Sequence, residues 1–315
     1  MIELSDWLSF PVKDICIDSQ PVQYRVGFAL KDNCDDRTDW SRKFIEKVCH
    51  EIIHIEYIAN DAQLFINDRV YSIKDLSTLE LPEGDILVDA TSLPLPELLH
   101  IFTLLNSIKR NFDVAYIQPT TYKEQDSKTL ESNTTYDLSD DGLGVQQLPP
   151  FVGSSNNSRI LFFLGWEGHR LGALINSEEF NVKDLTCLAG IPGYQVGWDN
   201  ITLSCNFMHF IDLNTLTSPR FKFSGANDPI KTYNIIQGVY DATKYENLSL
   251  SLAAFGTKPS AIAAAQFAVN ITEIQEDKPK RLIMLYDFVK IKRDRSYGTS
   301  VMHIWSFSCS SEQPA

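Results

Sequence analysis

No run of about 18 uncharged apolar residues occurs anywhere in the chain, so a membrane-spanning helix is not expected. The first residues, MIELSDWLSFPVKD, carry acids early and lack a basic leader region. Export is therefore not expected, and the cytoplasm is the expected compartment. The six cysteines, Cys16, Cys34, Cys49, Cys187, Cys205 and Cys309, are scattered and form no CxxC pair, which points to reduced thiols mostly in the core. A GxGxxG fingerprint, a Walker loop and a nucleophile elbow are all missing, which lowers the expectation of an enzyme. His50 and His54 are four apart, but the pattern turns to β at Ile52 and no third ligand follows, so no metal is expected. Positive charge is also short: 28 Lys and Arg stand against 41 Asp and Glu, a net charge of −13 with a pI near 4.9. A long duplex nucleic acid would be repelled, whereas a small anion in a local positive pocket would not.

The stretch 247–270, NLSLSLAAFGTKPSAIAAAQFAVN, organises the rest. Leu248 to Phe255 reads as a buried strand, and Gly256-Thr257-Lys258 as a tight break. Pro259 suits the first turn of a helix. Five alanines between Ser260 and Val269 allow that helix to approach a sheet closely. Strand, glycine turn and helix start together make an anion site, because free N–H groups and the positive helix end converge there. Lys258 adds charge, and Thr257 and Ser260 add hydroxyls. The same turn also occurs in α/β proteins with nothing bound.

Elsewhere the pattern predicts strands at 22–30, 52–58, 64–73, 85–89, 112–118, 159–164, 281–286 and 301–307. Helices are predicted from Asp39 to Cys49, from Pro94 or Pro96 to Lys109, and from Pro229, capped by Asp228, to about Tyr245. Residues 85–118 form a β-α-β unit, with Thr91 and Ser92 at the carboxyl end of its first strand, as helix caps or ligand contacts. Residues 181–224 look irregular, with 200–211 either strand or buried helix and 222–228 a loop. The polar stretch 119–158 is an excursion that covers the sheet or meets a partner. These features predict an α/β chain with a mainly parallel central sheet flanked by helices. It would comprise a smaller N-terminal α/β portion, 1–80, and a Rossmann-like domain, 81–315.

Two further polar groups stand out. RILFFL runs into Gly165, Trp166, Glu167, Gly168, His169 and Arg170. Glu167, His169 and Arg170 could supply a base, a proton shuttle and a phosphate clamp, or Glu167 and Arg170 could simply pair along one helix face. KIKRDRSYGTS places Lys290, Lys292, Arg293 and Arg295 in one loop, either as phosphate contacts or as a solvated turn.

The segment LAAFGTKPSAIAAAQFAV resembles the Gly-Thr-Lys segment of the CRISPR-associated Rossmann-fold (CARF) domains and their SAVED relatives, nucleotide sensors of prokaryotic antiviral systems. DILVDATSLPLPELL resembles their strand-to-helix hydroxyl motif more loosely. The resemblance implies contacts from Gly256, Thr257, Lys258, Thr91 and Ser92 to a cyclic or linear oligonucleotide, often across a homodimer. Pro259 directly after the lysine, and Ser260 where methionine is common, depart from the pattern.

The first expectation is thus a nucleotide-binding sensor or accessory subunit with a separate protein partner and no cofactor. Its ligand contacts would be Thr91, Ser92, Gly165, Gly256, Thr257, Lys258, Ser260, Arg293 and Arg295. The second is a nucleotide- or nucleoside-processing enzyme using Glu167, His169 and Arg170. The third is a protein–protein scaffold without ligand.

Overall fold

A computed structural model describes the chain except residues 125–135, 137, 141–142, 178, 181, 217–218, 275–280 and 311–315. It is mixed α/β. In chain order the first elements are β1 (Ile2–Pro11), β2 (Tyr24–Ala29), α1 (Asp36–Val48), β3 (Cys49–Ile58), β4 (Gln63–Ile66), β5 (Arg69–Ser72), β6 (Ile86–Asp89), α2 (Leu95–Ser107) and β7 (Phe112–Tyr122). There follow β8 (Ser139–Asp140), β9 (Val145–Gln147), β10 (Ser158–Phe163), α3 (His169–Ile175), β11 (Leu185–Gly190), α4 (Trp198–Leu216) and β12 (Arg220–Ser224). The chain closes with α5 (Pro229–Glu246), β13 (Ser249–Ala253), α6 (Lys258–Ile274), β14 (Leu282–Asp287), β15 (Lys290–Ile291) and β16 (Ser296–Cys309).

Two compact units result: Met1–Tyr122 with Arg293–Ala315, and Lys123–Lys292. The division therefore falls at 122 and 292 rather than at 80. The physical reason is strand pairing. β6, beyond residue 80, lies parallel to β2, with Val26 opposite Ile86 and Phe28 opposite Val88, so residues on both sides of 80 share one sheet. The tail returns as β16 to pair antiparallel with both β1 and β7.

The first unit holds one eight-stranded sheet in the order β1-β16-β7-β6-β2-β3-β4-β5, parallel only across β7-β6-β2-β3. The stretch 64–73, expected as one strand, is the hairpin β4–β5, turned at Asn67, whose φ is 51°. Helix α1 begins at a reciprocal cap: Asp35 accepts from the Thr38 N–H while the Thr38 hydroxyl accepts from the Asp35 N–H. Its apolar side, Phe44, Ile45 and Val48, packs on one core with Leu87, Ala115, Ile117 and Met302. In α2, Leu98, Leu99, Ile101, Phe102, Leu104 and Leu105 are all buried, as the broad apolar face predicts.

The second unit is built on a six-stranded sheet, β12-β11-β10-β13-β14-β9, whose first five strands are parallel. Only β9 runs antiparallel, and it comes from the stretch expected as a polar excursion; residues 125–135, 137 and 141–142 of that stretch lie outside the described residues. Each of β10, β11 and β13 is short, apolar and buried, which suits parallel strands covered on both faces. Helices α3 and α4 pack together, as do α5 and α6, and these helices carry the crossovers between the parallel strands. All five alanines of α6, Ala261, Ala263, Ala264, Ala265 and Ala268, are buried.

The described residues of 181–224, expected as irregular, form a 3-10 turn, a strand, a helix and a strand instead. Residues 200–211 lie within α4, and 222–224 end β12 rather than a loop. Among the described residues, no helix is long and apolar enough to cross a membrane.

Candidate functional site

The order of parallel strands in the second unit reverses between β10 and β13: β11 and β12 extend to one side, β14 to the other. The chain that follows β10 leads to α3 and the chain that follows β13 leads to α6, so two strand-to-helix junctions meet at the reversal. In open α/β sheets that reversal is where ligands bind. Both glycine junctions singled out in the sequence sit there, and they touch. A Cβ on Gly165 would stand 2.5 Å from the Phe255 carbonyl oxygen, and one on Gly256 would stand 3.1 Å from the Phe163 Cβ. Glycine is needed at 165 for this backbone approach. Gly165→Ala is expected to cost about 2 kcal/mol in urea unfolding, because backbone must move to admit the methyl; a loss below the experimental error would mean that the two loops are freer than their packing implies.

Next to the glycines the hydroxyls are already bonded. Thr257 Oγ1 donates to the Ala226 carbonyl at 2.8 Å and lies 3.0 Å from Ser260 Oγ. Asn206 donates to the Gly165 carbonyl at 2.8 Å. Lys258 is the first residue of α6 and is half-buried. The first turn of α6 contains no acidic residue. A cation at a helix N-terminus works against the helix dipole, and an anion placed between them removes that penalty.

Beside this edge Trp166 packs against Tyr136 and Trp198, with ring centres 4.5 and 4.8 Å apart, and Tyr194 extends the group to Trp198 at 6.1 Å. Trp166 Nε1 donates to Thr202 Oγ1 at 3.0 Å. Sequence reasoning named Trp166 only as a neighbour of Glu167. Tyr194 and Trp198 lay in the stretch thought irregular, and tertiary packing alone brings them in.

The proposed catalytic trio is not assembled as one. Glu167 is buried and fully engaged: its carboxylate accepts from the Leu138 N–H at 3.1 Å and the Ser139 hydroxyl at 2.5 Å, and pairs with Arg170 at 2.8 Å. Arg170 also donates to Asp287 at 2.9 Å, and its guanidinium lies 5.8 Å from the Phe255 ring centre. His169 is exposed at the start of α3. The pairing of Glu167 with Arg170 is therefore the arrangement present, and it ties the β10 loop to the end of β14.

Thr91, Ser92, Arg293 and Arg295 belong to the first unit, on a different sheet from Lys258. Neither hydroxyl caps α2, whose N-cap is Pro94. Thr91 Oγ1 accepts from the Ile117 N–H at 3.1 Å, and Ser92 Oγ accepts from the Leu30 N–H at 3.1 Å. Both are buried around the Asp89 carboxyl. Burial pushes that carboxyl's pKa up, while hydrogen bonds from Ser41, Ser92 and Thr91 act in the opposite direction. Arg295 lies 3.8 Å from Asp35. The basic stretch is not one loop: Lys290–Ile291 is a short strand paired antiparallel with Ser139–Asp140, and the flanking strands β14 and β16 belong to different sheets. Among the described residues no three His, Cys, Asp or Glu side chains gather in a metal-binding group. The chain matches no family model, no curated protein and no solved structure.

Proposed function

We propose that this chain is a nucleotide-binding sensor or accessory subunit of a prokaryotic antiviral defence system. Its second unit is a Rossmann-like domain that takes a phosphate-containing ligand at the carboxyl edge of β10 and β13. One observation carries the reading. Two glycine junctions about 90 residues apart in sequence meet at the strand-order reversal, and the helix that starts there presents Lys258 where acidic residues are ordinarily favoured. The resemblance of the Gly256-Thr257-Lys258 segment to CARF and SAVED domains supports the same ligand class. Gly165, Gly256, Thr257, Lys258 and Ser260 are the contacts assigned. Thr91 and Ser92 act as structural ties in the first unit, and Arg295 stands beside Asp35 there.

The enzyme reading loses its base, because Glu167 is held by three partners, the Leu138 N–H, the Ser139 hydroxyl and the Arg170 guanidinium. The test is thermal unfolding of the full chain against mono-, di- and cyclic nucleotides, with Lys258→Ala in parallel. A recognised ligand at a hundredfold its Kd adds about 2.7 kcal/mol to the native chain. Lys258→Ala is expected to remove most of that gain while unfolding normally without ligand. No shift with any nucleotide, or an equal shift in both proteins, rules this reading out.

A further inference from the structure

The second unit's sheet ends in an exposed strand. Among the described residues β12 is the terminal strand of its sheet, paired with β11 alone. Four of its five residues are exposed: Arg220, Phe221, Lys222 and Phe223. Terminal strands in natural proteins are ordinarily covered, bulged or kept short, because their unpaired backbone groups recruit other strands. Here the exposed strand also carries two phenylalanines, with Phe223 47% exposed.

The Ser224 carbonyl accepts from the Ile191 N–H at 2.7 Å, on the β11 side. In a strand the N–H and C=O of one residue point the same way, and the direction alternates at each residue. Phe221 and Phe223 therefore turn their backbone groups outward, toward the open edge. Their rings lie on the face covered by α4, since Phe221 meets Phe210 of that helix edge-on, with ring centres 5.2 Å apart. On α4 itself Phe207, Met208 and Ile211 are exposed, at 59, 50 and 47%. Their i, i+1 and i+4 spacing keeps them close to one side of the helix. An apolar helix side thus flanks outward-facing backbone donors and acceptors. On the opposite face of β12, Arg220 and Lys222 present cations in a chain of net charge −13, with Arg220 also paired to Asp184 at 3.0 Å.

We propose that the β12 edge, with the exposed side of α4, binds an extended segment of a partner protein in which large apolar residues alternate with acidic ones. The segment adds a strand to the sheet. Its backbone pairs with Phe221 and Phe223, its apolar side chains pack on those rings and on Phe207 and Met208, and its carboxylates face Lys222 and Arg220. The charge pattern disfavours a second copy of this chain as the occupant. Two β12 edges joined in one continuous sheet are related by a twofold axis perpendicular to it, which keeps each face on its own side. Lys222 would then lie opposite Lys222 or Arg220 of the other copy, and like charges directly opposite are destabilising. The cations that refuse self-association are the ones that select a carboxylate-bearing strand.

The experiment uses the full chain and a fluorescent short peptide alternating leucine with glutamate, read by anisotropy. Controls are the same peptide with lysine for glutamate, and with N-methylated amides on the residues that face the edge. The glutamate peptide is expected to bind, the N-methylated one not to bind, and the lysine peptide to bind more weakly. Lys222→Glu is expected to weaken the glutamate peptide about fivefold and to improve the lysine peptide. Phe207→Ser, on exposed surface and away from the strand ladder, is expected to weaken both. Absence of binding, equal binding of the N-methylated peptide, or a chain that sediments as a dimer dispersed by Phe223→Ser each overturns the proposal.

Discussion

Asp35→Ala is expected to remove about 4 kcal/mol from the stability of the first unit. Asp35 is buried at the start of α1, where its carboxylate performs three tasks. It accepts from the Thr38 N–H at 3.0 Å, closing the helix cap; it pairs with the buried Arg37 at 2.8 Å; and it accepts from the Ser296 hydroxyl at 2.5 Å. Ser296 opens β16, so the cap of a helix near residue 36 is tied to a strand from the chain's end. Removing the carboxylate leaves a guanidinium that is 3% exposed, with Ser296 at 2.9 Å and the Tyr122 ring at 5.7 Å but, among the described residues, no other counter-charge at bonding distance. Breaking one side of a buried pair costs more than the pair itself is worth, because the remaining charge is stranded. Asp35→Asn keeps acceptors for Thr38 and Ser296 but not the charge, so it should fall between the two proteins. Urea unfolding followed at amides of the first unit measures both. A loss under about 1 kcal/mol for the alanine variant would mean that Arg37 finds another anion and that the assignment of Asp35 as its partner is wrong. The same group predicts resistance to acid. Burial pushes the Asp35 carboxyl up, but Arg37 and the Ser296 hydroxyl outweigh it and hold it at about 2, below its ordinary 3.8. Its contribution is therefore complete above the ordinary value and is lost only as pH falls through about 2.

Local chemistry was legible in the sequence where one stretch contains its own reason. Asp228 before Pro229 was read as a helix start, and the Asp228 carboxylate does accept from the Lys231 N–H at 2.8 Å. The β6-α2-β7 unit was read from its apolar rows and its length, and β6 and β7 are parallel neighbours. The strand and alanine-rich helix around Gly256 followed from composition alone. Long-range pairing was not legible. β1 is half polar and exposed, with nothing local to mark it, and it exists because β16 pairs with it from Ile2 opposite Cys309 to Pro11 opposite Val301. The unit boundary was misplaced for the same reason. α4 could not be told from a strand because it is apolar on more than one side, and Phe207, Met208 and Ile211 on its outer side are exposed rather than core. Thr91 and Ser92 have the residue types of a ligand loop, but sequence does not show that Ile117 and Leu30 N–H groups reach their oxygens first. Residue type set what those hydroxyls were able to do, and packing set what they do.

Lowering the pH from 7 to 5 is expected to cost the first unit about 4 kcal/mol, through two buried imidazoles that must stay neutral. His303 is 2% exposed on β16; Ser9 Oγ lies 2.7 Å from one ring nitrogen and Gln118 Nε2 lies 2.6 Å from the other. Its ring stacks on Trp305 with centres 5.3 Å apart, and Trp7 Nε1 donates to it at 3.3 Å. None of these neighbours carries a charge that would welcome a proton. His100 is 1% exposed on α2 and stacks on Tyr57 with ring centres 5.5 Å apart. Burial pushes each imidazole down to about 4 from an ordinary 6.5. Between those two values the unfolded chain binds protons that the folded chain refuses, so stability rises with pH across that window. It is complete above 6.5, falls by about 2 kcal/mol per histidine at pH 5, and by about 3 at pH 4. Asp35, held at about 2, stays charged throughout, whereas the Asp89 carboxyl, pushed up by burial, favours the folded unit as pH falls and works against the histidines' loss. His303→Gln, which keeps a polar group toward Ser9 and Gln118, and His100→Phe, which keeps the stack on Tyr57, should each remove about half of the histidines' share of the slope, and together all of it. Proton chemical shifts of the two imidazoles in the folded chain give the second reading directly. If either ring titrates near 6.5 while the chain is folded, water reaches it, and the neutral, desolvated packing that joins β1, β7 and β16 around His303, or α2 and β3 around His100, is not the arrangement in solution.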